Sequence, residues 1–449
     1  MFTLMIVVFV IGYLCIALEH PLQINKTATA LLLSTLMWVL FILGEPASFP
    51  AFAEYTEYLL HHPDATFVSW ITQVPLIEHL GEVAEILFFL LGAMTIVEIV
   101  DTHGGFRIIT DKIHTTKKTS LLWIISVLTF FMSAVLDNLT TSIVMIALLR
   151  KLIGNPKDRW IFAGMVILSA NAGGAFSPIG DVTTIMLWIA GHISAVKIML
   201  MTFPASVVSI LIPLFILSFR LKGTVARPDK TDEHDEDVPL LRNERNMVFF
   251  LGVGALLFVP VFKSLTHLPP YLGMLGGLGF LWIATGFMHK KKPEKYSHQL
   301  SVSRIISRID TPSILFFLGI LMAVNALQTC GQLGMLSSSL DRMPLAEPHK
   351  YYLISILIGL FSSIIDNVPL VAGAMGMYHF PTDHYFWEFL AYTAGTGGSI
   401  LIIGSAAGVA VMGLEKIDFI WYLKKISWLA ILGYLGGCVV YILQKTLMS

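Results

Sequence analysis

Long apolar stretches alternate with short polar ones over almost the whole chain. An α-helix needs about 17–25 predominantly apolar residues to cross a bilayer. Ten runs approach that length, at about residues 2–18, 28–44, 83–100, 160–190, 195–219, 247–262, 270–288, 313–330, 386–414 and 421–444. The first run has no basic flank and no small-residue cleavage signal, so we expect a retained helix rather than a signal peptide. The pattern predicts an all-α polytopic membrane protein.

Two further apolar segments, at about 119–149 and 350–380, are too short for two crossings and too long for one. Near its centre each carries an Asp-Asn pair, Asp137-Asn138 in the first and Asp366-Asn367 in the second. Interrupted backbone at membrane depth is tolerated where it is buried in protein or lines a cavity. We therefore predict two re-entrant helical hairpins.

Each predicted hairpin is followed by a long apolar run that contains a second polar break. The first break extends from Asn171 to Asp181 within 160–190, and the second from Gly395 to Ser405 within 386–414. Glycine permits unwinding and close backbone approach, and a proline removes one helical hydrogen bond. We predict one broken helix after each hairpin, with break residues Gly173, Gly174, Pro178, Gly180, Gly397, Gly398 and Gly404.

The order of these features predicts an internal duplication. The two Asp-Asn pairs are 229 residues apart, and Gly173 and Gly397 are 224 apart. Five spans in each half is an odd number, so the second half must be inverted relative to the first. Inverted repeats with broken helices that meet near the midplane are typical of secondary transporters. The predicted organisation is a first repeat at 1–219, a charged cytoplasmic linker at 220–246 and a second repeat at 247–449.

Composition and charge placement support this layout. The chain is 55% hydrophobic and 13% charged, whereas a soluble domain is about 25% charged. With the hairpins re-entrant, the alternation of loops places 24 of the 29 Lys and Arg residues on one side. Loops rich in Lys and Arg stay in the cytoplasm, so we predict that both termini face outward. Cys15, Cys330 and Cys438 lie far apart, which predicts neither a disulfide framework nor a metal centre.

The aspartates of these breaks are the candidate functional residues. An ionised Asp inside the membrane is unfavourable unless it is paired, hydrated or bound to a cation, and none of these has a Lys or Arg beside it. A small cation such as Na⁺ or Li⁺ takes oxygen ligands, which a helix break supplies. The predicted ion-binding and proton-coupling residues are Asp137, Asn138, Thr140, Thr141, Asn171, Ser177, Asp181, Asp366, Asn367, Thr396, Ser399 and Ser405. Because Asp181 corresponds to Ser405 in the second half, and Asn171 to Gly395, we expect the cation at Asp137, Asn138, Asn171 and Asp181.

Other interpretations of these residues stay open. Asp137, Asn138 or Asn367 also suits a helix N-cap, although capping alone does not require an Asp and an Asn in both copies. Glu98, Asp101 and Asn325 are weaker site candidates, since the first two suit a solvated helix end and Asn325 an interhelical hydrogen bond. An intramembrane aspartyl protease is disfavoured, because the Gly-x-Gly-Asp pattern is absent before Asp181; no enzymatic activity is expected.

At these motifs the sequence resembles the NhaD sodium/proton antiporters, which belong to a superfamily that includes arsenite and dicarboxylate/citrate carriers. The resemblance extends over nearly the whole chain and rests on segments 136–142, 171–181, 95–98 with 103–105, and 366–369. It implies a transport domain, made of the hairpins, the broken helices and the span after each, that moves against a scaffold formed by the other spans. It also implies a homodimer in a lipid membrane, expected to be a bacterial inner membrane, without a cofactor or nucleic acid.

The expected function is exchange of cytoplasmic Na⁺ or Li⁺ for external H⁺ by alternating access in an elevator-like movement. Protons compete with a metal cation for a carboxylate, and exclusion of water favours the protonated form. A Na⁺-coupled carrier of an organic anion or of arsenite is the alternative within the superfamily. Such a carrier has to stabilise an anion, which the aspartates of the first half would repel.

Overall fold

The computed structural model describes residues 1–44, 49, 52–110, 112–227, 241–290, 293 and 299–448. Within these ranges the secondary structure is helical, and an isolated antiparallel bridge joins Lys117 and Thr224. The predicted linker at 220–246 lies partly outside the described residues.

The helices of the first half follow the predicted apolar runs. They are α1 (Phe2–Ala17), α2 (Lys26–Ile42), α3 (Phe52–His61), α4 (Phe67–Gln73), α5 (Pro75–Thr102), α6 (Lys118–Leu136), α7 (Asn138–Leu152), α8 (Pro156–Ala175), α9 (Val182–Ile189) and α10 (Ala195–Arg220). Short helices also occur at Glu19–Leu22 and Arg107–Thr110. We call α6 and α7 hairpin 1, and α8 and α9 broken helix 1.

The second half repeats this order of long, paired and interrupted helices. Its helices are α11 (Arg242–Thr266), α12 (Pro270–His289), α13 (Val302–Ile306), α14 (Thr311–Thr329), α15 (Gln332–Asp341), α16 (His349–Phe361), α17 (Asn367–Met377), α18 (Tyr385–Gly397), α19 (Ala406–Glu415) and α20 (Trp428–Met448). A short helix at Phe419–Tyr422 and a π-helical turn at Leu423–Ser427 lead into α20. We call α16 and α17 hairpin 2, and α18 and α19 broken helix 2.

Seven helices of the described residues are long and apolar enough to cross a membrane, counting Phe67–Thr102 and Phe419–Met448 as one each. The others are α6, α10, α11, α12 and α14. The chain is therefore an all-α, multi-pass membrane protein, as the hydropathy pattern predicts.

Two predicted boundaries were wrong. Helices α3 and α4 lie between the predicted spans 28–44 and 83–100, and α5 begins at Pro75 instead of near residue 83. Phe67, Trp70 and Ile71 give α4 a buried face, and a capping box formed by Thr66 and Ser69 starts the helix. The predicted short span at 247–262 is a 25-residue helix, since polar residues such as Asn243 and Glu244 extend its first turns.

The two hairpins differ in arm length. Helix α6 has 19 residues, about 28 Å at 1.5 Å per residue. That arm is long enough to cross by itself, so the length argument for re-entry does not hold for it. Helices α16 and α17 have only 13 and 11 residues, which is short for a crossing. Re-entry stays a prediction for both hairpins.

Both broken helices unwind later than the sequence pattern predicts. Helix α8 continues through Asn171, Gly173 and Gly174 to Ala175, and the unwound segment is 176–181, which includes Pro178 and Gly180. The prediction that Gly173 and Gly174 allow unwinding was therefore wrong. Their lack of a side chain permits close packing instead, since a Cβ on Gly173 would be 2.1 Å from the carbonyl oxygen of Phe130. In broken helix 2, α18 continues to Gly397, and the unwound segment that follows includes Gly398 and Gly404.

The chain forms two compact units, and each unit contains segments of both predicted repeats. Unit 1 comprises residues Met1–Phe88, Asp310–Leu353 and Val368–Pro381. In it α2 packs closely on α14, and the indole Nε1 of Trp38 donates to the carbonyl oxygen of Met322 at 3.0 Å. Unit 2 comprises Phe89–Ile309, Ile354–Asn367 and Thr382–Ser449, and so contains hairpin 1, both broken helices and the tip of hairpin 2.

Candidate ion-binding site

Asp181 is the buried carboxylate around which the polar residues of unit 2 collect. It is 1% exposed and lies immediately before α9. As the N-cap of that helix, its Oδ1 accepts hydrogen bonds from the backbone nitrogen and from Oγ1 of Thr183, both at 2.9 Å. The unwound segment of broken helix 1 therefore ends with a carboxylate inside the protein, whose orientation is set by the first turn of α9.

The first residue of the second helix in each hairpin reaches this carboxylate. Asn138, which begins α7, donates from Nδ2 to Oδ2 of Asp181 at 2.8 Å. Asn367, which begins α17, donates from Nδ2 to Oδ1 and Oδ2 of Asp181 at 3.3 and 3.4 Å. The structure thus brings one predicted site residue from each hairpin to the same aspartate.

Asn171 connects the first break to the second. Its Oδ1 accepts from Nδ2 of Asn138 at 3.0 Å. Its Nδ2 donates to Oγ of Ser399 and to Oγ of Ser405, both at 2.9 Å. All four side chains are buried. A continuous network of buried polar side chains therefore joins both broken helices and both hairpins, and such networks position their members accurately when every member is paired.

Asp137 has a different local role from the one that its intramembrane position suggests. Its Oδ1 accepts from the backbone nitrogen of Thr140, and its Oδ2 from Oγ1 of Thr140, both at 2.8 Å. It therefore caps α7, as the capping interpretation allowed. Its backbone has φ 89° and ψ 159°, a region that is almost restricted to glycine and disfavoured by about 1–3 kcal/mol in other residues. Its carboxylate and that of Asp366 both interact electrostatically with Asp181.

The remaining predicted residues differ in their contacts. Ser177 donates from Oγ to the carbonyl oxygen of Ala134, which ties the first break to hairpin 1. Thr396 donates to the carbonyl oxygen of Tyr392 at 2.6 Å within α18. Thr141 is fully buried, and its Oγ1 has no hydrogen-bond partner among the described residues. Gly395 adjoins the site, because a Cβ there would be 3.8 Å from Oδ2 of Asp181.

The hydrogen-bond donors to Asp137 and Asp181 are neutral groups. Within the described part of the chain, neither Asp137 nor Asp181 forms an ion pair with Lys or Arg. The donors to Asp181 are amide, hydroxyl and backbone groups, all of them neutral. A carboxylate in this setting can accept a proton or a small cation as its compensating charge.

The weaker candidates have other surroundings. Glu98 is 4.0 Å from Nη1 of Arg308 and accepts from Oγ1 of Thr102 at 3.5 Å at the end of α5. Asp101 is exposed there, which agrees with a solvated helix end. Asn325 is half-buried on α14 in unit 1.

Three buried polar groups escaped the sequence analysis because they lie at predicted span ends. Glu388 is fully buried on α18, where its Oε2 is 2.8 Å from Nζ of Lys445. Glu415, at the end of α19, pairs with two arginines described below. His103 and His289 stack with their Nε2 atoms 3.2 Å apart. Hydropathy indicates which residues end a span, and it does not indicate which of them fold back into the protein.

Comparison with known proteins places the chain among the ion carriers. The family described as citrate transporter (CitMHS) matches residues 13–397. Sodium/proton antiporter 2 of Arabidopsis thaliana is 43% identical over 445 residues, which cover 98% of both chains. The protein belongs to this transporter family, in its NhaD branch. The resemblance seen in the sequence motifs is therefore confirmed.

Other relatives in the family come from plants and from bacteria. Sodium/proton antiporter 1 of Arabidopsis thaliana is 46% identical over 441 residues, covering 98% of this chain and 72% of the relative. The Na(+)/H(+) antiporter NhaD of Vibrio cholerae is 31% identical over 469 residues, covering 98% of this chain and 91% of the relative. The family description and these names point to a carrier rather than to an enzyme, and none of them indicates a cofactor.

Proposed function

We propose that this protein exchanges Na⁺ or Li⁺ for H⁺, with Asp181 as the central carboxylate. The observation that carries the proposal is the buried Asp181, which is held by amides from both hairpins and, among the described residues, forms no ion pair with Lys or Arg. The relatives named as sodium/proton antiporters support the same activity. Two cations that compete for one carboxylate provide exchange, because each conformation carries one or the other.

The amides that contact Asp181 would change their role when a metal cation binds. Asn138 and Asn367 direct their Nδ2 donors at the carboxylate, whereas Na⁺ takes oxygen ligands. Rotation of an Asn side chain presents Oδ1 in place of Nδ2. The proposed ligands of the cation are Asp181, Asn138, Asn367 and Oγ1 of Thr141, which has no hydrogen-bond partner among the described residues. Further carboxylate and hydroxyl groups come from Asp137, Asp366 and Thr140 at the starts of α7 and α17.

Alternating access is the proposed mechanism, on the plan of two inverted repeats, 1–219 and 247–449. Matching contacts support the duplication, since Ser133 donates to the carbonyl oxygen of Ala170 and Ser362 to that of Ala394. In this proposal the hairpins, the broken helices and the span after each move together in an elevator-like step. Inward movement of H⁺ then drives Na⁺ or Li⁺ out of the cytoplasm.

We extend the proposal to topology and assembly. The loop charges favour a cytoplasmic linker at 220–246 and termini on the outer side. In α11 and α12, only 22% and 28% of an apolar 18-residue stretch is buried inside the protein, whereas the corresponding share in the other candidate spans is 50–56%. These helices provide an apolar surface for lipid and for a second copy in the proposed homodimer. A bacterial inner membrane stays a prediction.

Anion transport is the second candidate, favoured by the family description as citrate transporter. A citrate carrier would need groups that stabilise several negative charges. Asp181 with the nearby Asp137 and Asp366 carboxylates disfavours such a substrate. The helix starts at Asn138 and Asn367 are the features that an anion would use instead.

Proton movement in proteoliposomes with an acid interior tests the proposal. Na⁺, Li⁺, K⁺, citrate and arsenite are added in turn to wild type and to Asp181→Asn. We expect Na⁺ and Li⁺ to collapse the pH gradient in wild type only. Uptake of citrate without any response to the cations would contradict exchange and favour the anion carrier.

A further inference from the structure

The most completely paired buried charge outside the site is Glu415, the last residue of α19. Its side chain is 1% exposed. Nε of Arg150 is 2.7 Å from Oε1, and Nε of Arg159 is 2.9 Å from Oε2, so each carboxylate oxygen has its own guanidinium partner. Nη2 of Arg150 also donates to the carbonyl oxygen of Leu414, and Nε1 of Trp160 donates to that of Glu415 at 3.1 Å. We call Glu415, Arg150 and Arg159 the glutamate clamp.

The clamp joins three helices that each carry a residue of the Asp181 network at the opposite end. Helix α7 begins at Asn138 and holds Arg150 in its last turn. Helix α8 holds Arg159 in its first turn and Asn171 near its end. Helix α19 begins after Ser405 and ends at Glu415. One carboxylate thus connects the far ends of all three helices.

The three distances along the helices are similar. Twelve residues separate Asn138 from Arg150 and Arg159 from Asn171, and ten separate Ser405 from Glu415. At 1.5 Å per residue these separations are about 18, 18 and 15 Å. Because an α-helix is stiff over this length, fixing the three distant ends restricts how Asn138, Asn171 and Ser405 can shift relative to one another.

Pairing with two arginines is directional in a way that apolar packing is not. Planar guanidinium groups match a carboxylate at defined angles. A buried ion pair adds little net stability compared with apolar residues, and its best-attested use is to select one arrangement of the elements. A displacement of about 1 Å among binding residues can reduce rates about 100-fold. An ion pair that selects one arrangement of the helices therefore maintains the geometry of the Asp181 site.

We infer that Glu415 is a positioning residue for the Asp181 site, acting through Arg150 and Arg159 without contact to the transported ion. The identity of the bound ion rests on the proposed exchange function, whereas the positioning mechanism rests on the geometry of the glutamate clamp. Loss of the clamp lets α7, α8 and α19 shift independently, which weakens binding of the cation at their other ends.

The main test compares Glu415→Gln with a matched control at the same end of α8. Asp158→Asn breaks the ion pair between Lys118 and Asp158, whose Nζ and Oδ1 are 2.8 Å apart, and Lys118 belongs to α6, none of whose described side chains hydrogen-bonds to the side chain of Asp181. Half-saturating Na⁺ and maximum rate are measured in proteoliposomes at equal protein. We expect Glu415→Gln to raise half-saturating Na⁺ about tenfold, a loss of about 1.4 kcal/mol, with the maximum rate within about twofold. Asp158→Asn should leave both values within about twofold.

Two further variants keep the inference testable if Glu415→Gln folds poorly. Arg150→Gln removes the half-exposed partner and should raise half-saturating Na⁺ about threefold, since Arg159 still pairs with Glu415. Arg159→Gln removes the other partner while Arg150 still pairs with Glu415, and it should also raise half-saturating Na⁺ about threefold. If neither arginine variant changed half-saturating Na⁺, the positioning role of the clamp would be overturned.

Hydrogen exchange of backbone amides separates this inference from the proposed function. In the absence of Na⁺, we expect Glu415→Gln, and not Asp158→Asn, to increase exchange at peptides covering 138–142 and 405–409. If wild type moves no protons in response to Na⁺ and the increase is still seen, the exchange function fails and the positioning role stands. Unchanged amide exchange together with unchanged half-saturating Na⁺ in Glu415→Gln would overturn the positioning role and leave the exchange function standing.

Discussion

Hairpin 1 and hairpin 2 are each joined to the broken helix that follows by the same kind of backbone approach. A Cβ on Gly173 would be 2.1 Å from the carbonyl oxygen of Phe130, and a Cβ on Gly397 would be 2.0 Å from that of Gly359. Likewise, a Cβ on Gly180 would be 2.6 Å from the carbonyl oxygen of Ser133, and one on Gly404 would be 2.7 Å from that of Ser362. Each hairpin therefore packs on its broken helix with close approaches at corresponding glycines.

The polar side chains of the two copies differ at the positions that matter for charge. Asp181 caps α9 and receives both hairpin amides, whereas its counterpart Ser405 caps α19 by accepting from the backbone nitrogen of Gly408 at 3.1 Å. Asn171 forms three side-chain hydrogen bonds, whereas Gly395 has no side chain, and a Cβ there would be 3.0 Å from Cβ of Ala175. The comparison indicates that Asp181 receives amide donors from both halves of the chain, whereas Ser405 at the matching position is neutral.

The largest expected decrease in exchange activity follows from removal of the Asp181 carboxylate, which has a serine, Ser405, at the matching position. Asp181→Asn removes the charge and turns one acceptor into a donor opposite Asn138 and Asn367, so we expect Na⁺-driven exchange to fall at least about 100-fold, near 3 kcal/mol. Ser405→Ala, at the matching position, should reduce exchange less than about fivefold, because Asn171 retains Ser399 as an acceptor. Both rates come from proton-flux measurements on protein that is monodisperse by size exclusion. Full activity in Asp181→Asn would remove it from the site.

Stability should respond equally in the two copies, in contrast to activity. Gly173→Ala and Gly397→Ala each force a Cβ against a backbone carbonyl, and such overpacking typically destabilises by about 1–3 kcal/mol. We expect similar decreases of the melting temperature in detergent for both variants. Gly413→Ala is the control, since a Cβ there meets nothing within 4 Å. A decrease for only one of the two glycines would show that the copies are packed differently.

Asn171 should have an intermediate effect, because it connects the two copies. Asn171→Ala leaves the buried Asn138, Ser399 and Ser405 with one partner fewer each, and we expect half-saturating Na⁺ to rise about tenfold, or about 1.4 kcal/mol. Gly395→Ala is the matched variant and should change half-saturating Na⁺ about twofold, since its Cβ comes 3.8 Å from Oδ2 of Asp181. Equal effects of the two substitutions would argue that Asn171 has no connecting role.

The last expected effect is graded, and it is the dependence of Na⁺ affinity on pH. If H⁺ and Na⁺ compete for one carboxylate, half-saturating Na⁺ rises as pH falls, with a limiting slope of about tenfold per pH unit, and reaches a constant value at alkaline pH. Ser405→Ala should retain this slope because it retains Asp181. The dependence is measured as initial exchange rates against Na⁺ concentration at several pH values. A half-saturating concentration that does not vary with pH would contradict competition at this site.

Sequence alone was sufficient for the membrane class, the family and the residues that form the buried polar network around Asp181. Apolar run length is a local property, so the ten predicted spans each contain a helix, with wrong boundaries where short amphipathic or polar turns adjoin a span, as at α4 and α11. Aspartates and asparagines within apolar sequence are equally visible, because their intramembrane position is itself unfavourable. Asp181, Asn138, Asn171 and Asn367 were therefore named before their contacts were known.

Only the tertiary structure decided which of these residues meet. Residues 181 and 367 are 186 positions apart, as are His103 and His289, and no local pattern encodes such a contact. In the structure Asp137 caps α7, whereas Asp181 caps α9 and also accepts hydrogen bonds from Asn138 and Asn367. The pairing of Glu415 is likewise not visible in the sequence, where the residue is expected to be a solvated helix end. Folding brings Arg150 and Arg159 to its two carboxylate oxygens. Burial and pairing depend on which distant helices pack together, and that choice is a property of the whole fold.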